Sequence, residues 1–462
     1  MNQQTHDASA RDGAAHPLRW RILGLLGVAQ LMLILDVTVV AIALPHIETD
    51  LGLGRQAVTW TVSAYTLTFG GLMLLGGRAA DLFGARRVVL AGLLIFTAAS
   101  LATGLAGGAA PLLGGRIAQG VGAALMSPSA LSFVVHLFDG DERNKALGVW
   151  SALGGGGAAL GVLLGGALTA GPGWPWVFYV NVPLGVVIFV ALARMLPRQR
   201  VSAPRPRLDV LGAALVTASS GALIYAFIRA GDHGWVTGAT GALVLLAAAG
   251  YVAFVIRQKT ARSPMMDVTL LVRRPVATGT FLILMATALM IAVFFLGTFY
   301  FQHAEDFGAL RTGLLFLPVA VATMLGANLT GRALARAGAR PLAVAGLVVA
   351  AAGMAVPALS MNPVTVVVGT AVAGAGTGAM FVVASATALG RVAPHESGVA
   401  SGIVSTFHEF GASIGAAVIS SVAAASLAGG TLSGFTDGFV LAAVAAAAGA
   451  VAAAVLTPGP AR

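Results

Sequence analysis

The sequence predicts an all-α polytopic membrane protein with fourteen transmembrane helices, arranged as two six-helix bundles and two inserted helices. Of the 462 residues, 58% are apolar and only 10% are charged, whereas an average soluble domain has about 25% charged residues. Apolar runs of about 20 residues recur along the chain, and each is long enough to cross a hydrocarbon core of about 30 Å as a helix. A water-soluble fold is therefore excluded.

The apolar runs place the spans in order along the chain. They cover residues 22–45, 57–77, 88–107, 111–137, 146–170, 175–196, 209–228, 236–256, 276–300, 312–331, 341–360, 363–390, 397–423 and 436–456. The first 20 residues are polar and no small-residue cleavage site follows the first run, so this helix is expected to be retained. The chain has no cysteine, which excludes disulfides, thiolate metal sites and a cysteine nucleophile.

Basic residues are distributed unequally between the two sides that this order defines. With a cytoplasmic N-terminus, 23 of the 27 Lys and Arg residues lie on the cytoplasmic side. Arg55, Arg229 and Arg311 lie on the other side, and Arg116 lies within a span. This asymmetry predicts that both termini are cytoplasmic. No basic cluster is interleaved with aromatic residues, so nucleic acid is not expected as a partner.

An internal repeat divides the chain. The segment Gly77-Arg78-Ala79 returns as Gly331-Arg332-Ala333, and an offset of 254 residues aligns 77–161 with 331–415 without a gap. Two spans between the repeats have no counterpart. We therefore expect an N-terminal tail and six-helix bundle at 1–208, two inserted helices at 209–262 and a C-terminal six-helix bundle at 263–462. Parallel repeats of this kind place a substrate cavity between the halves near the bilayer midplane.

Several short motifs occur in a fixed order. They are Leu35–Val40 with Ala43-Leu44-Pro45, Trp60 with Tyr65, the segment GRAADLFGARR at 77–87, RIAQG at 116–120, and Trp174, Trp176, Phe178, Asn181 and Pro183. Together they resemble the major facilitator superfamily, and within it the fourteen-helix branch of bacterial drug/proton antiporters. The resemblance implies alternating access, antiport of protons against drugs or antibiotics, no cofactor, and a monomer in the bacterial cytoplasmic membrane.

The fifth span departs from the family pattern. The antiporter motif normally reads Gly-Pro-x-x-Gly-Gly, whereas residues 161–166 read Gly-Val-Leu-Leu-Gly-Gly. The missing proline removes a site prone to kinking. Gly157, Gly161, Gly165 and Gly166 still predict close packing against a neighbouring helix.

Three ionisable residues lie deep within predicted spans and are the candidates for proton coupling. Asp36 lies about 14 residues, or ~21 Å, into its helix, and Glu409 lies ~18 Å into the thirteenth helix. A carboxylate at that depth must pair with a cation, bind a proton or line water. Arg116 is predicted to act on Asp36. The alternatives are a structural hydrogen bond for Asp36, a packing pair for Glu409, and a snorkelling side chain for Arg116.

Gln119, His408, Glu409 and Met290 are the candidates for the substrate cavity. A histidine in a helix often does no more than satisfy a hydrogen bond, and this is the alternative for His408. For Met290, ordinary packing is the favoured explanation. The tenth helix carries no acidic residue, whereas exporters of dicationic compounds tend to add carboxylates. Neutral or monocationic substrates are therefore expected.

A conformational latch is predicted in the cytoplasmic loop after the second helix. Its residues are Gly77, Asp81, Gly84, Arg86 and Arg143. Asp81 is expected to accept helix N-terminal amides and to pair with Arg143, which would hold the cytoplasmic helix ends together in the outward-open state.

Two short patterns resemble enzyme motifs, but neither lies in the structural context that its chemistry requires. Residues 411–415 spell the G-x-S-x-G motif, but inside an apolar helix rather than at a strand-to-helix turn. His408-Glu409 opens an H-E-x-x-H pattern whose second histidine is Ala412. No P-loop occurs, so ATP is not the expected energy source. Besides drug export, a proton-coupled importer, a narrow-specificity metabolite exporter and a non-transporting receptor remain open.

Overall fold

The computed structural model describes residues 18–138, 140–197, 208–390, 392, 396–427 and 431–457. Long helices dominate these ranges: α1 Arg19–Leu51, α2 Arg55–Phe83, α3 Ala85–Gly104, α4 Ala109–Leu137, α5 Gly140–Ala170, α6 Trp176–Met195, α7 Val210–His233, α8 Gly238–Thr260, α9 Arg274–Phe299, α10 Ala309–Ala337, α11 Ala339–Leu359, α12 Pro363–Leu389, α13 Ser397–Val422 and α14 Ser433–Leu456. The predicted basic residues Arg11, Arg198, Arg200, Arg205, Arg207, Arg391 and Arg462 lie outside the described residues.

The all-α polytopic class is confirmed. Within the described part of the chain, thirteen helices are long and apolar enough to cross a membrane, against fourteen predicted spans. The difference is α5, in which Leu160–Ala170 forms a shorter apolar stretch. Two local departures occur elsewhere. Phe316 interrupts α10 two residues before Pro318, and α9 continues into a π-helical turn at Tyr300–Ala304.

The 254-residue offset of the sequence recurs in the backbone and in the packing. Gly84 between α2 and α3 and Gly338 between α10 and α11 both have positive φ, 89° and 78°. Only glycine adopts that conformation without strain, so both loops require it. A Cβ on Gly122 would lie 2.6 Å from the Phe96 nitrogen, and one on Gly376 would lie 2.6 Å from the Ala350 nitrogen. Equivalent helix pairs therefore approach equally closely in both halves.

The inserted helices pack beside the junction of the two halves. A Cβ on Gly231 of α7 would lie 2.6 Å from Ser421 of α13, and Arg55 of α2 donates to the Ile228 carbonyl of α7 at 2.7 Å. Asp209 caps α7 and binds Arg257 of α8 at 2.9 Å. Burial alone would raise the pKa of Asp209, but its hydrogen bonds outweigh burial and lower that pKa below its usual value. Helix α7 thus contacts a helix of each half.

The two halves meet along α2 and α13, where small hydroxyl side chains face one another. The Thr59 and Ser420 hydroxyls are 2.5 Å apart, and so are those of Thr66 and Ser413. Ser413 is the serine of the 411–415 motif, and its place in the middle of α13 rules out a nucleophile turn.

A second junction joins α1 to the end of α9. Among the described residues, its hydrogen bonds and ion pairs use only residues 42–48 and 302–303. These residues lie at the end of the bundle that the charge distribution predicts to be outer, so the halves are in contact at their predicted outer ends.

Candidate functional site

The site is built on an ion pair buried within the N-terminal half. The Asp36 side chain of α1 and the Arg116 side chain of α4 both have no solvent exposure. Arg116 Nη1 donates to Asp36 Oδ2, and Gln119 Nε2 donates to Asp36 Oδ1 at 3.1 Å. The structure thus brings together three residues that the sequence singled out. Arg116 points into the protein, which overturns the snorkelling alternative.

Helices α2 and α3 complete this network. Arg116 Nε donates to the Thr61 carbonyl at 2.7 Å, and its guanidinium lies 4.4 Å from the centre of the Tyr65 ring. Gln119 Nε2 also donates to Ser100 Oγ at 2.8 Å. Among the described residues, Arg116 Nη2 has no hydrogen-bond partner. The charges of this pair are therefore compensated mainly by each other and by fixed dipoles, which is what buried ions require.

Glu409 lies across the α2–α13 junction from this network. Its side chain is 10% exposed, and its Oε1 lies 4.0 Å from His408 Nε2. Gly70 of α2 allows the approach, because a Cβ there would lie 2.7 Å from the Glu409 Cβ. Within the described ranges the Glu409 carboxylate forms no hydrogen bond, unlike the fully bonded carboxylate of Asp36.

His408 of α13 contacts α9 and α12, and Met290 is a residue of α9. His408 Nδ1 is 3.1 Å from Thr287 Oγ1, its ring lies 5.7 Å from that of Phe381, and its side chain is 42% exposed. Met290 is partly buried against an apolar cluster to which both halves contribute. His408 thus makes the hydrogen bond that the simpler explanation expects while remaining accessible.

Tyr65 belongs to the Arg116 network, and the sequence analysis did not assign it a role. It is fully buried, donates from its hydroxyl to the Leu33 carbonyl at 3.3 Å, and its ring lies against the Arg116 guanidinium. The only sequence signal for it is its place in the second-helix motif.

The predicted latch residues do not form the predicted pair in this conformation. The ion-pair partner recorded for Asp81 is Arg78, at 3.9 Å, and the Asp81 side chain is 67% exposed. Arg143 donates to the Phe138 carbonyl, and Arg86 donates to the Ala193 carbonyl at the end of α6. Gly84 forms the positive-φ turn, and a Cβ on Gly77 would meet only Pro128, at 3.8 Å. The latch stays a prediction for another conformation.

The glycines of α5 lie against two helices. A Cβ on Gly157 would lie 2.8 Å from Ile34, and one on Gly165 would lie 2.9 Å from the Val39 carbonyl, while Gly161 faces Thr38. These three contact α1. Gly166 faces the Ala309 carbonyl of α10, so the same stripe lies at a junction between the halves.

Comparison with known proteins supports the same grouping. Residues 26–416 match the family model described as Major Facilitator Superfamily. The chain belongs to that superfamily. Among its members, the puromycin resistance protein pur8 of Streptomyces alboniger is 38% identical over 412 residues, which cover 86% of this chain and 80% of that protein. The cephamycin export protein CmcT of Amycolatopsis lactamdurans is 35% identical over 83% of this chain and 81% of its own length.

A solved structure of the superfamily shares the fold. The peptide transporter POT in complex with sulfate superposes with a TM-score of 0.65 at 19% identity, covering 94% of this chain and 93% of that one. The resemblance to major facilitator proteins predicted from the motifs is therefore confirmed. This protein is a multi-pass membrane protein of a transporter family whose members act on small molecules, and several of its relatives are named as antibiotic or multidrug exporters.

Proposed function

We propose that this protein exports amphipathic drugs or antibiotics, neutral or monocationic, across the bacterial cytoplasmic membrane in exchange for protons. The observation that carries the proposal is the buried Asp36–Arg116–Gln119 network beside the junction of two repeated halves. A buried ion pair costs desolvation free energy that an apolar pair of similar size avoids, so its presence calls for an explanation. Proton coupling supplies one. The named functions of pur8 and CmcT agree with export.

Asp36 is the proposed proton acceptor. A proton on its carboxylate removes the charge that compensates Arg116 and weakens the bond between them, so the Thr61 carbonyl and Gln119 hold more of the guanidinium. Because these partners belong to α1, α2 and α4, the change alters how three helices of one half are held together. Protonation is thereby linked to the relative position of these helices.

Glu409 is the proposed second coupling site, with Gln119, His408 and Met290 as substrate-cavity candidates. Its carboxylate has no hydrogen bond within the described residues, so it is available to a proton or to a cationic amine. One carboxylate cannot hold both, and this competition would exchange substrate for protons.

Alternating access of the halves 1–208 and 263–462 is the proposed motion, with both termini in the cytoplasm. The contacts between α1 and α9 at the predicted outer end support a conformation closed to the outside. The rival is a proton-coupled importer, because the fold does not set the direction of transport.

Everted membrane vesicles test the proposal. With an inside-acid gradient and a pH-sensitive dye, we expect some dyes, quaternary amines or antibiotics to trigger proton release. Asp36→Asn and Glu409→Gln should each reduce this release by about tenfold or more, which corresponds to about 1.4 kcal/mol or more in the barrier to exchange. Thr370→Val, at the position that matches Arg116 in the other half, is the control and should retain it, because the Thr370 hydroxyl bonds only within its own helix.

Near-normal release in both carboxylate variants would contradict the proposal. Absence of release with every compound, combined with solute accumulation in intact cells, would favour the importer. The same vesicles must contain folded protein at wild-type amounts, which gel filtration of the solubilised variants establishes.

A further inference from the structure

An open cavity of about 670 Å³ lies at the predicted outer face, away from the buried ion pair. The ends of α1 and α9 and the connection between α5 and α6 form its wall. This volume falls within the range of small-molecule sites, about 300–1,000 Å³. Pro45 and Trp174 of the sequence motifs line it, but no residue of the proton-coupling network does.

The floor of the cavity separates it from the interior of the protein. Gln302 Oε1 lies 3.0 Å from His46 Nδ1, and Gln302 Nε2 donates to the Ile42 carbonyl at 3.0 Å. Below them, Ile42 is fully buried. A ligand in the cavity is therefore on the outer side of the contact that joins α1 to α9.

The wall combines acidic and aromatic side chains. Asp50 and Asp306 line the cavity together with Trp174 and Phe307. Arg311 is not among the lining residues, although its guanidinium stacks on the Phe307 ring at 3.5 Å. Carboxylates attract cations, and aromatic rings bind both cations and apolar groups. The wall chemistry fits an organic cation with an aromatic or apolar body.

Two further observations indicate that the cavity is a site. Thr169 lines it, is only 5% exposed, and among the described residues its hydroxyl has no hydrogen-bond partner. A buried polar group of this kind calls for a ligand or water. Asp306 has a φ of 53°, two residues after the π-helical turn Tyr300–Ala304. π-Turns and positive-φ residues other than glycine are both enriched at functional sites.

We propose that this outer cavity is a second binding site, which holds a monovalent organic cation through Asp50 and Asp306 and its apolar body through Trp174 and Phe307. The inference rests on the proposed efflux in one respect: the cavity lies where an exported cation would pause before release. Binding itself is independent of transport and is tested without it.

The test uses Trp174 as the reporter. In a variant in which Trp20, Trp60, Trp150, Trp176 and Trp235 are replaced by Phe, Trp174 is the remaining tryptophan of the six. Titration of this protein in lipid nanodiscs with ethidium, a monocationic aromatic dye, should quench Trp174 fluorescence saturably. Fluorescein, an anionic dye of similar size, should not.

Isosteric substitutions isolate the charges. Asp50→Asn keeps an acceptor for the Trp174 Nε1 donor, which lies 2.7 Å from Asp50 Oδ2. Asp306→Asn keeps a residue that tolerates positive φ. The double variant should weaken ethidium binding about tenfold, equivalent to about 1.4 kcal/mol. Glu305→Gln is the matched control, since Glu305 accepts from the Tyr300 hydroxyl outside the wall, and it should bind as wild type.

Two variants keep the test decisive. Thr169→Val, which removes only the unpartnered hydroxyl, should weaken binding by about threefold if the ligand meets it. Glu409→Gln should leave the quench unchanged, because Glu409 lies in the interior. Quenching that survives Asp50→Asn/Asp306→Asn but disappears in Glu409→Gln would place ethidium inside and overturn the proposal. Absence of saturable quenching in a protein that still releases protons would overturn the outer site while leaving the proposed efflux intact.

Discussion

The two halves of this protein have similar backbone turns and helix contacts, but they differ in the side chains that they bury. At the offset of 254 residues, Asp36 corresponds to Met290 and Arg116 to Thr370. The N-terminal half thus buries an ion pair where the C-terminal half has a thioether and a hydroxyl. The Thr370 hydroxyl is satisfied within its own helix by the Val366 carbonyl. Helix packing therefore does not require the charges, since the same arrangement of helices forms without them.

The C-terminal half has its own acidic residue, at a position where the other half has none. Glu409 of α13 corresponds by sequence to Gly155 of α5. Each half thus contributes one deep carboxylate at non-equivalent positions, one paired with a guanidinium and the other without a hydrogen bond among the described residues. The two repeated halves therefore place their buried carboxylates at different positions and in different electrostatic environments.

The largest effect is expected from removing the cation of the pair. Arg116→Leu leaves Asp36 buried without its partner and should lower the free energy of unfolding by about 3–5 kcal/mol. The equivalent change in the other half, Thr370→Val, should cost about 1 kcal/mol or less. Denaturation of the purified variants in detergent micelles measures the difference. Asp36→Leu/Arg116→Leu should recover most of the loss, and equal losses in Arg116→Leu and Thr370→Val would break the comparison.

A smaller effect, equal in both halves, is expected where the backbone contacts repeat. Gly122→Ala and Gly376→Ala each place a methyl group 2.6 Å from a backbone nitrogen. Both should cost about 1–3 kcal/mol, because the neighbouring helix has to move. Gly331→Ala is the control, since no atom lies within 4 Å of the added Cβ, and alanine favours the helix by up to about 1 kcal/mol. A cost in one half alone would show that the repeated contacts are not equivalent.

The smallest effect concerns the latch, which also exists in one half only. Ala335 and Ser397 occupy the positions equivalent to Asp81 and Arg143. Asp81→Ala should leave the present conformation unaffected and destabilise the outward-open one by about 1 kcal/mol or less, a population shift of up to about fivefold.

Labelling of Met290→Cys in the otherwise cysteine-free chain measures this shift. Reaction with an impermeant maleimide from the cytoplasmic side should accelerate in Asp81→Ala and stay unchanged in Ala335→Asp, which lacks the basic partner. Unchanged labelling in Asp81→Ala would count against the latch.

Most of the fold follows from local properties of the sequence. Apolar length predicts the helices, and the repeat predicts matching turns at Gly84 and Gly338. The helix ends are less well determined. Helix α1 extends to Leu51, beyond the predicted end at 45, because the polar residues that close it lie past the apolar core of the bilayer. The π-helical turn at Tyr300–Ala304 has no local signal, since it depends on how α9 meets the other half.

The site was only partly predictable, for a related reason. Depth in a span singles out Asp36, Arg116 and Glu409, because burying a charge is costly wherever its partner lies. Uncharged residues that contact these ions have no comparable signal in the sequence. Ser100 and Tyr65 are an ordinary serine and tyrosine in the sequence, and only the packing of α3 against Gln119 and of α2 against Arg116 brings them into the network.

Helix α7 has a mechanical consequence. It contacts both α2 and α13, and Arg55 of α2 donates both to the Ile228 carbonyl of α7 and to Ser420 of α13. The edge of the junction next to α7 is therefore bonded to both halves. Any rocking of one half against the other then has its axis near this edge. The displacement of a residue grows with its distance from the axis, so the widest gap opens on the opposite flank, between α5 and α10. There the close contacts of Gly166 and Gly313 are between backbones, which can part without breaking a side-chain hydrogen bond.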